Sequence, residues 1–159
     1  EFRRVLFRSF ELNKELDQYT YFGVGPHESM PDRAIGRVGK YSSTVEKQLT
    51  DYIKPQECGG HIGVRWFEIS DSPAGGLAKN ARGIRIELDK PRMVTVLPVT
   101  SEALADATHN IYVKRSGTTV VTIDAIHRGV GTASCGPDTL DQYKIKPGTY
   151  KFTWKFTKL

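Results

Sequence analysis

The stretch Tyr150-Lys-Phe-Thr-Trp-Lys-Phe-Thr157 alternates aromatic side chains with Lys or Thr. Successive side chains of a β-strand point to opposite faces, so this period of two predicts a strand with one buried and one solvated face. The same alternation occurs in Ile84-Arg-Ile-Glu-Leu88 and in Ile62-Gly-Val-Arg-Trp66. Residues 94–96 and 120–123 have the more continuous apolar character of buried strands. The pattern predicts a mainly β fold.

Glycine and proline fall between these apolar runs, at 59–60, 73–76, 117 and 147–148, where they supply turns. One segment, 101–109, has helical character, because a Ser or Thr cap is available and Glu102 lies in the first turn, where an acid complements the helix dipole. We therefore expect an antiparallel two-sheet β-sandwich with one short helix.

The composition is typical of a single globular domain: the chain has 159 residues, 38% of them hydrophobic and 26% charged. It contains no apolar run long enough for a membrane-spanning helix and no signal peptide with an apolar centre. The lysines near the end of the chain alternate as on a solvated strand face, and they do not cluster with stacking aromatics as in a nucleic-acid interface. We expect neither a membrane nor a nucleic acid as a partner.

The first nine residues, Glu1-Phe-Arg-Arg-Val-Leu-Phe-Arg-Ser9, differ in character from the rest. Back-translated in one frame, they read like a common short-read sequencing adapter, so we expect 1–9 to be an assembly artefact preceding a sandwich domain at 10–159. An amphipathic basic tail is the alternative. The segment carries three Arg and one Glu, so the net charge of +5 falls to +3 without it.

The most specific loop signal is Tyr21-Phe-Gly-Val-Gly-Pro-His-Glu-Ser-Met-Pro-Asp-Arg33. Gly23 and Gly25 allow the backbone to turn or to approach another group closely, two prolines stiffen the segment, and Asp32 beside Arg33 offers an ion pair. Such a loop is functional more often than a core strand is. The stretch resembles the Gly-x-Gly-Pro-x-Glu-x-x-Pro-Asp-Arg signature of the C-terminal domain of family-two β-galactosidases.

Four further blocks extend this resemblance in the same order along the chain. They are Tyr52-Ile-Lys-Pro-Gln-Glu57 with Val64-Arg-Trp66, Leu104-Ala-Asp-Ala-Thr-His109, Asp124-Ala-Ile-His-Arg-Gly-Val-Gly131, and Ser134-Cys-Gly-Pro137 with Tyr143 and Pro147-Gly-Thr-Tyr150. The resemblance covers nearly all of the chain after the first ten or so residues.

The resemblance implies the latter part of a sandwich related in fold to galactose mutarotase, within a retaining enzyme that hydrolyses terminal β-galactosides such as lactose. Retaining glycosidases use two carboxylates about 5–5.5 Å apart, one as nucleophile and one as acid and then base. In the family both belong to a separate barrel domain, so we assign no catalytic residue here and expect the chain alone to be inactive. A truncated sandwich would leave an unpaired edge and a partly uncovered apolar face, which implies aggregation or dependence on the missing half.

In the family this domain contributes one wall of the active-site cleft, through a loop that here spans 129–137. The resemblance assigns substrate contact to Gly131, Ser134 and Cys135. The best-known members carry a Trp at the position of Cys135, where it stacks on the leaving-group sugar, and Cys offers only a small polarisable contact instead. We therefore expect an altered aglycone preference. A buried Cys135 thiol and a Cys58–Cys135 disulfide are the alternatives.

Five polar residues in the family blocks are interpreted as structural anchors: Arg33, Glu57, His109, Asp124 and His127. Long ionic side chains in Pro/Gly-rich loops, such as Arg33 and Glu57, usually satisfy polar groups nearby, and sugar contact is the alternative. His109 and His127 are expected to be buried, hydrogen-bonded residues that position loops, and Asp124 to anchor the cleft loop.

The histidines and cysteines lack the spacing of a zinc site, so we expect this chain to bind no metal or other cofactor. Trp66 and Trp154 have the flat faces on which sugars stack, although the phase of Trp154 with its aromatic neighbours favours core packing. The resemblance implies a divalent cation, Mg²⁺, held by the missing barrel. It also implies a homo-oligomeric full enzyme, with a β-galactoside and the barrel domain or a large subunit as partners.

A second hypothesis is a non-catalytic module: either a sugar-binding sandwich or the separate small subunit of split family members. A free-standing mutarotase fits the fold relationship but has no supporting motif. The gene upstream of residue 10 discriminates between the first two hypotheses. The sequence leaves open the natural galactoside, the compartment and the oligomeric state.

Overall fold

The computed structural model describes residues 6–72, 81–129 and 136–159. They form seven strands, one α-helix and three 3-10 turns. In chain order these are β1 (Leu6–Asn13), β2 (Gln18–Gly25), β3 (Arg37–Thr44), a 3-10 turn at Glu46–Gln48, β4 (Gly60–Ser70), β5 (Gly83–Leu97), α1 (Ser101–Asp106), a 3-10 turn at Asn110–Tyr112, β6 (Thr118–Ile126), a 3-10 turn at Asp141–Tyr143 and β7 (Trp154–Lys158). The mainly β, antiparallel architecture with one short helix is confirmed for the described residues.

The strands form one sheet in the order β1-β6-β5-β4-β2-β3, and β7 adds to β5. One side of β5 pairs with β4 along both halves, whereas the other side is shared between β7, at 84–88, and β6, at 93–97. The sheet therefore forks at β5. Phe10 of β1 and Phe156 of β7 meet edge to face with ring centroids 5.8 Å apart. The two branches thus approach each other as sandwich layers do, which is consistent with the predicted β-sandwich.

The fork lies at 89–92, where the buried side chain of Arg92 holds three segments together. Its guanidinium donates to the two carboxylate oxygens of Asp89, at 3.0 and 2.7 Å, and to the carbonyl oxygens of Ala125, at 2.6 Å, and Lys151, at 3.3 Å. A buried charge is costly unless it is paired and hydrogen-bonded, and Arg92 meets that condition. Pro91 lacks an N–H donor, which suits the point where β5 changes its partner.

One apolar core fills the inner face of the sheet, and its members come from four strands and one loop: Tyr19, Tyr21, Val45, Val64, Phe67, Ile69, Ile86, Val94, Val96, Val121 and Ile123. The predicted strands at 84–88, 94–96 and 120–123 lie within β5 and β6, as expected. Each large apolar side chain contributes about 1.5–3 kcal/mol on burial, so this core is the main source of stability. The final strand is shorter than the alternation at 150–157 predicts, since β7 begins at Trp154.

The predicted alternation in β4 is wrong at Trp66. Val64 lies on the inner face, where a Cβ built on Gly23 would come within 2.9 Å of it. The pairing of β4 with β5 shifts register between Val64 and Trp66. Such an irregularity changes which side chains face the core, so Phe67 points inward and Trp66 lies on the opposite face.

The helix begins as the sequence predicts and ends earlier. The Thr100 hydroxyl accepts a hydrogen bond from the Ala103 N–H at 3.2 Å, and Glu102 lies in the first turn. The helix ends at Asp106 rather than His109. Its buried Leu104 belongs to a second, smaller core with Cys58, Leu97 and Val99.

Candidate functional site

The carboxylate of Glu28 ties the loop after β2 to the loop before β4. One oxygen accepts hydrogen bonds from Arg33, at 2.5 Å, and from the Tyr52 hydroxyl, and the other accepts from the Gly59 N–H, at 2.8 Å, and the Thr50 hydroxyl, at 3.3 Å. Burial works to raise the pKa of the Glu28 carboxyl, but the hydrogen bonds from Tyr52, Gly59 and Arg33 outweigh it and lower the pKa. Glu28 is therefore a charged acceptor at neutral pH.

A second buried cluster consists of Glu57, Asp124 and His127. The Nε2 atom of His127 lies 3.0 Å from a carboxylate oxygen of Glu57 and 4.0 Å from one of Asp124. The three side chains are between 1% and 13% exposed. Glu57 immediately precedes Cys58 and Gly59, so the loop that Glu28 holds from one side is held by His127 from the other.

Residues 127–129 and 136–139, here called the loop base, flank the segment 130–135. Arg128 forms an ion pair with Asp138, and the Thr139 hydroxyl donates to the carbonyl oxygen of Gly129 at 3.2 Å. The Gly129 N–H donates to the carbonyl oxygen of Tyr143 at 3.2 Å. Lys144 adds a contact to Asp138 at 3.3 Å. These contacts hold the two ends of the loop base together.

Asp32 lies against the loop base. A Cβ built on Gly129 would come within 2.5 Å of the Asp32 carboxyl carbon and 2.9 Å of its Cβ, closer than real Cβ contacts allow. Gly129 thus permits a close approach between the loop after β2 and the loop base. The contacts of Glu28, Asp32 and Glu57 together join three loops into one continuous polar site.

The structure brings three of the five candidate anchors together and places the other two elsewhere. Glu57, Asp124 and His127 come together in the buried cluster. Arg33 forms its ion pair with Glu28, so the expected Asp32–Arg33 pair is wrong. His109 is exposed, with a ring nitrogen 3.4 Å from the hydroxyl of the adjacent Thr108, so its expected burial is wrong too. It lies beyond the end of α1, immediately before the 3-10 turn at Asn110–Tyr112.

The predicted substrate contacts, Gly131, Ser134 and Cys135, lie outside the described residues. Their roles stay predictions, as does a Cys58–Cys135 disulfide. Cys58 itself is 1% exposed in the smaller core. The structure describes the residues on either side of this segment, 127–129 and 136–139.

The two tryptophans are occupied by protein contacts. The Arg85 guanidinium lies 4.0 Å from the Trp66 ring centroid, and Phe22 stacks against the same indole at 6.2 Å. Trp154 packs against the main core together with Phe152, whose ring centroid is 5.1 Å away. Core packing of Trp154 is confirmed, and the contacts of Trp66 favour a structural role over a sugar platform.

The described residues contain no group of three or more His, Cys, Asp or Glu placed to hold a metal ion. Among the described helices, none is long and apolar enough to cross a membrane.

Sequence reasoning missed Asp32 as a contact of the loop base and Arg92 as the centre of the fork. Both contacts join segments far apart in sequence, so no local spacing marks them. For Arg92 a signal existed, since a Pro and an Asp precede it within a run that is otherwise a strand.

The chain matches the family model described as "Beta galactosidase small chain" over residues 8–156. Among curated proteins, it is 30% identical over 143 residues to a β-galactosidase of Actinobacillus pleuropneumoniae, covering 89% of this chain and 13% of that protein. It is 36% identical over 137 residues to one of Lactobacillus delbrueckii subsp. bulgaricus, covering 86% and 12%. A Kluyveromyces lactis β-galactosidase is 32% identical over 154 residues, covering 96% and 14%. The chain spans about 13% of the length of these relatives.

Proposed function

The chain belongs to the β-galactosidase small-chain family, and on that basis we propose that it is the part of a larger β-galactosidase that completes the wall of the sugar-binding cleft. The catalytic carboxylates of that enzyme lie in the rest of the polypeptide. The chain alone is inactive, and its role is to position a loop against the bound galactoside.

The observation that carries this proposal is the loop base. The segment with the predicted substrate contacts, Gly131, Ser134 and Cys135, is flanked in sequence by residues held by the Arg128–Asp138 ion pair and by the close approach of Asp32. A group that contacts substrate acts best from a rigid support, since small displacements cost binding and rate.

The described acids at this site support a positioning role. Glu28 accepts four hydrogen bonds, and Glu57 is paired with His127. A retaining glycosidase needs one carboxylate free to attack the sugar and another free to exchange a proton. Carboxylates engaged in holding loops are suited to neither role.

A separate small subunit is the second candidate, and the description of the family as a small chain favours it. The relatives favour a single polypeptide, because each carries the matching region within a much longer protein. Both candidates require a catalytic partner, and they differ in whether a peptide bond joins it to this chain.

The deciding experiment is a genomic read across the codons before Phe10, followed by expression of the complete gene. We expect a barrel-encoding frame and hydrolysis of a chromogenic β-galactoside that is lost when residues 10–159 are deleted. A nearby start codon, with activity restored by mixing the chain with a larger partner, would identify a separate subunit. Enzyme-like hydrolysis by the chain alone would contradict the proposal.

Gly129→Ala in the complete enzyme tests the loop base itself. The added methyl group displaces the Asp32 side chain, so we expect the KM for the galactoside to rise about tenfold, with little change in the unfolding temperature. Gly136→Ala is the matched control at the other end of the loop base, where no described atom lies within 4 Å of the added Cβ. Equal effects of the two substitutions would argue against a positioned loop.

A further inference from the structure

We propose that Ile53, Ile111 and Tyr112, here called the Ile53 patch, form the surface on which the catalytic portion of the longer enzyme docks. The side chains are 80%, 78% and 61% exposed. Single exposed apolar residues are ordinary, but adjacent large ones mark interaction sites. The inference rests on the proposed function and adds to it the surface that meets the catalytic partner.

Two loops present the patch side by side. The Asn110 N–H donates to the carbonyl oxygen of Ile53 at 3.2 Å, which joins the loop before β4 to the loop after α1. Ile111 and Tyr112 lie in a 3-10 turn closed by the Val113 N–H and the carbonyl oxygen of Asn110 at 3.1 Å. Hydrogen bonds therefore fix the backbone that carries these apolar side chains, so little entropy remains to be lost on docking.

The patch has the layout of an interface centre with a polar rim. Exposed charged residues surround it in sequence: Asp51, Lys54, Asp106 and Lys114. Both signs are present, so the rim does not select an oppositely charged partner such as a nucleic acid. A partner with an apolar surface of its own fits this arrangement, and Tyr112 supplies the amphipathic aromatic type enriched at such centres.

The catalytic portion is the partner that covers the Ile53 patch, because the patch lies next to the loops of the candidate site. Tyr52, the residue before Ile53, donates to Glu28, and the Glu28 loop continues to Asp32 against Gly129 of the loop base. The patch is thus connected to the loop base through Tyr52, the Glu28 loop and the close approach of Asp32 to Gly129. The relatives carry most of their length outside the matching region, which supplies a partner large enough to cover both.

Thiol labelling in the complete enzyme tests the docking. Ile53→Cys and Tyr112→Cys are compared with Lys14→Cys, a matched control in the exposed turn between β1 and β2, and the parent enzyme gives the background of its native thiols. We expect the patch cysteines to react with a maleimide at least 100-fold more slowly than the control. Equal labelling rates for the patch cysteines and the control cysteine in an active enzyme overturn the docking proposal. If the unsubstituted complete enzyme has no galactosidase activity, the proposed function is overturned instead.

Substitution of the patch supplies an independent reading. Ile53→Ser with Tyr112→Ser should accelerate heat inactivation of the complete enzyme about tenfold or more. Burial of one large apolar side chain that would otherwise be exposed to water is worth roughly that factor. Lys14→Ser should leave the rate unchanged. If protection of the patch cysteines disappears on dilution while the polypeptide stays intact, the occupant is a second copy of the enzyme, and the proposal is wrong.

Discussion

The inner face of the sheet and the loop end of the molecule are held together by different forces. Large apolar side chains such as Phe67 and Ile86, both 0% exposed, fill the first region. At the loop end, formed by the loops that carry Glu28, Glu57 and Gly129, directional polar contacts of Glu28 and Glu57 join the segments, and Asp32 packs closely against Gly129. Apolar packing depends on volume and tolerates variation in detail, whereas a polar junction depends on each partner. The sheet thus supplies stability, and the loop end supplies the geometry proposed for function.

The largest expected effect is on the core side of this comparison. Phe67→Ala removes a fully buried ring and should lower the free energy of unfolding by about 3–5 kcal/mol, measured by urea denaturation. Phe156→Ala is the control, since that ring is 51% exposed, and it should cost about 1 kcal/mol or less. Similar losses for the two variants would show that the inner face is not the main core.

On the loop side, Glu28→Gln should destabilise the chain by about 2–3 kcal/mol, because the amide cannot accept all the hydrogen bonds of the carboxylate. Urea denaturation again gives the change. Glu15→Gln removes an exposed charge that pairs with Arg82 and should stay within about 0.5 kcal/mol. If Glu28→Gln lowered the free energy of unfolding equally little, the hydrogen bonds of Glu28 would not be required for the stability of the loop end.

Acid should lower the stability of the chain through His61, which joins Tyr21 of the main core to Gln48 of the 3-10 turn at Glu46–Gln48. This buried imidazole lies 2.9 Å from the Tyr21 hydroxyl and 2.6 Å from the Gln48 side-chain oxygen, and burial lowers its pKa to about 4. Because the unfolded chain takes up the proton first, near its ordinary pKa of 6.5, this stability is complete above pH 6.5 and is lost as pH falls towards 4.

At pH 5 the loss from this group should be about 2 kcal/mol relative to pH 7.5. The measurement is urea denaturation at both pH values for the parent and for His61→Gln. The variant should lose about 2 kcal/mol less than the parent over this interval. Identical pH dependence of the two proteins would exclude His61 as the titrating group.

The smallest expected effect concerns the helix beside the patch. Thr100→Ala removes the hydroxyl that caps α1 and should cost about 1 kcal/mol, read from the denaturation midpoint. Ser101→Ala, one residue later, should change stability by less than about 0.5 kcal/mol. A larger loss from Ser101→Ala than from Thr100→Ala would contradict the assigned cap.

Predictability from sequence follows the same division. Alternation placed a strand correctly at 84–88, because the period of two reflects which side of one strand is buried, and a nearly continuous apolar run did so at 120–123. It failed at Trp66, because the register shift in β4 depends on the pairing with β5. For His109, the block position alone suggested burial, but burial depends on where α1 ends and on what packs beyond it.

The sequence by itself determined the strand-rich class, the capped start of the helix and, through its ordered blocks, the family. The class and the cap are recorded in residues near one another along the chain, and the family is recorded in short motifs that follow one another in a fixed order. Only the tertiary structure decided that Glu28 accepts from the Gly59 N–H, that Gly129 lies against Asp32 and that the Ile53 carbonyl accepts from the Asn110 N–H. These contacts join residues distant along the chain, and the way the chain folds back on itself decides which of many possible partners come within reach.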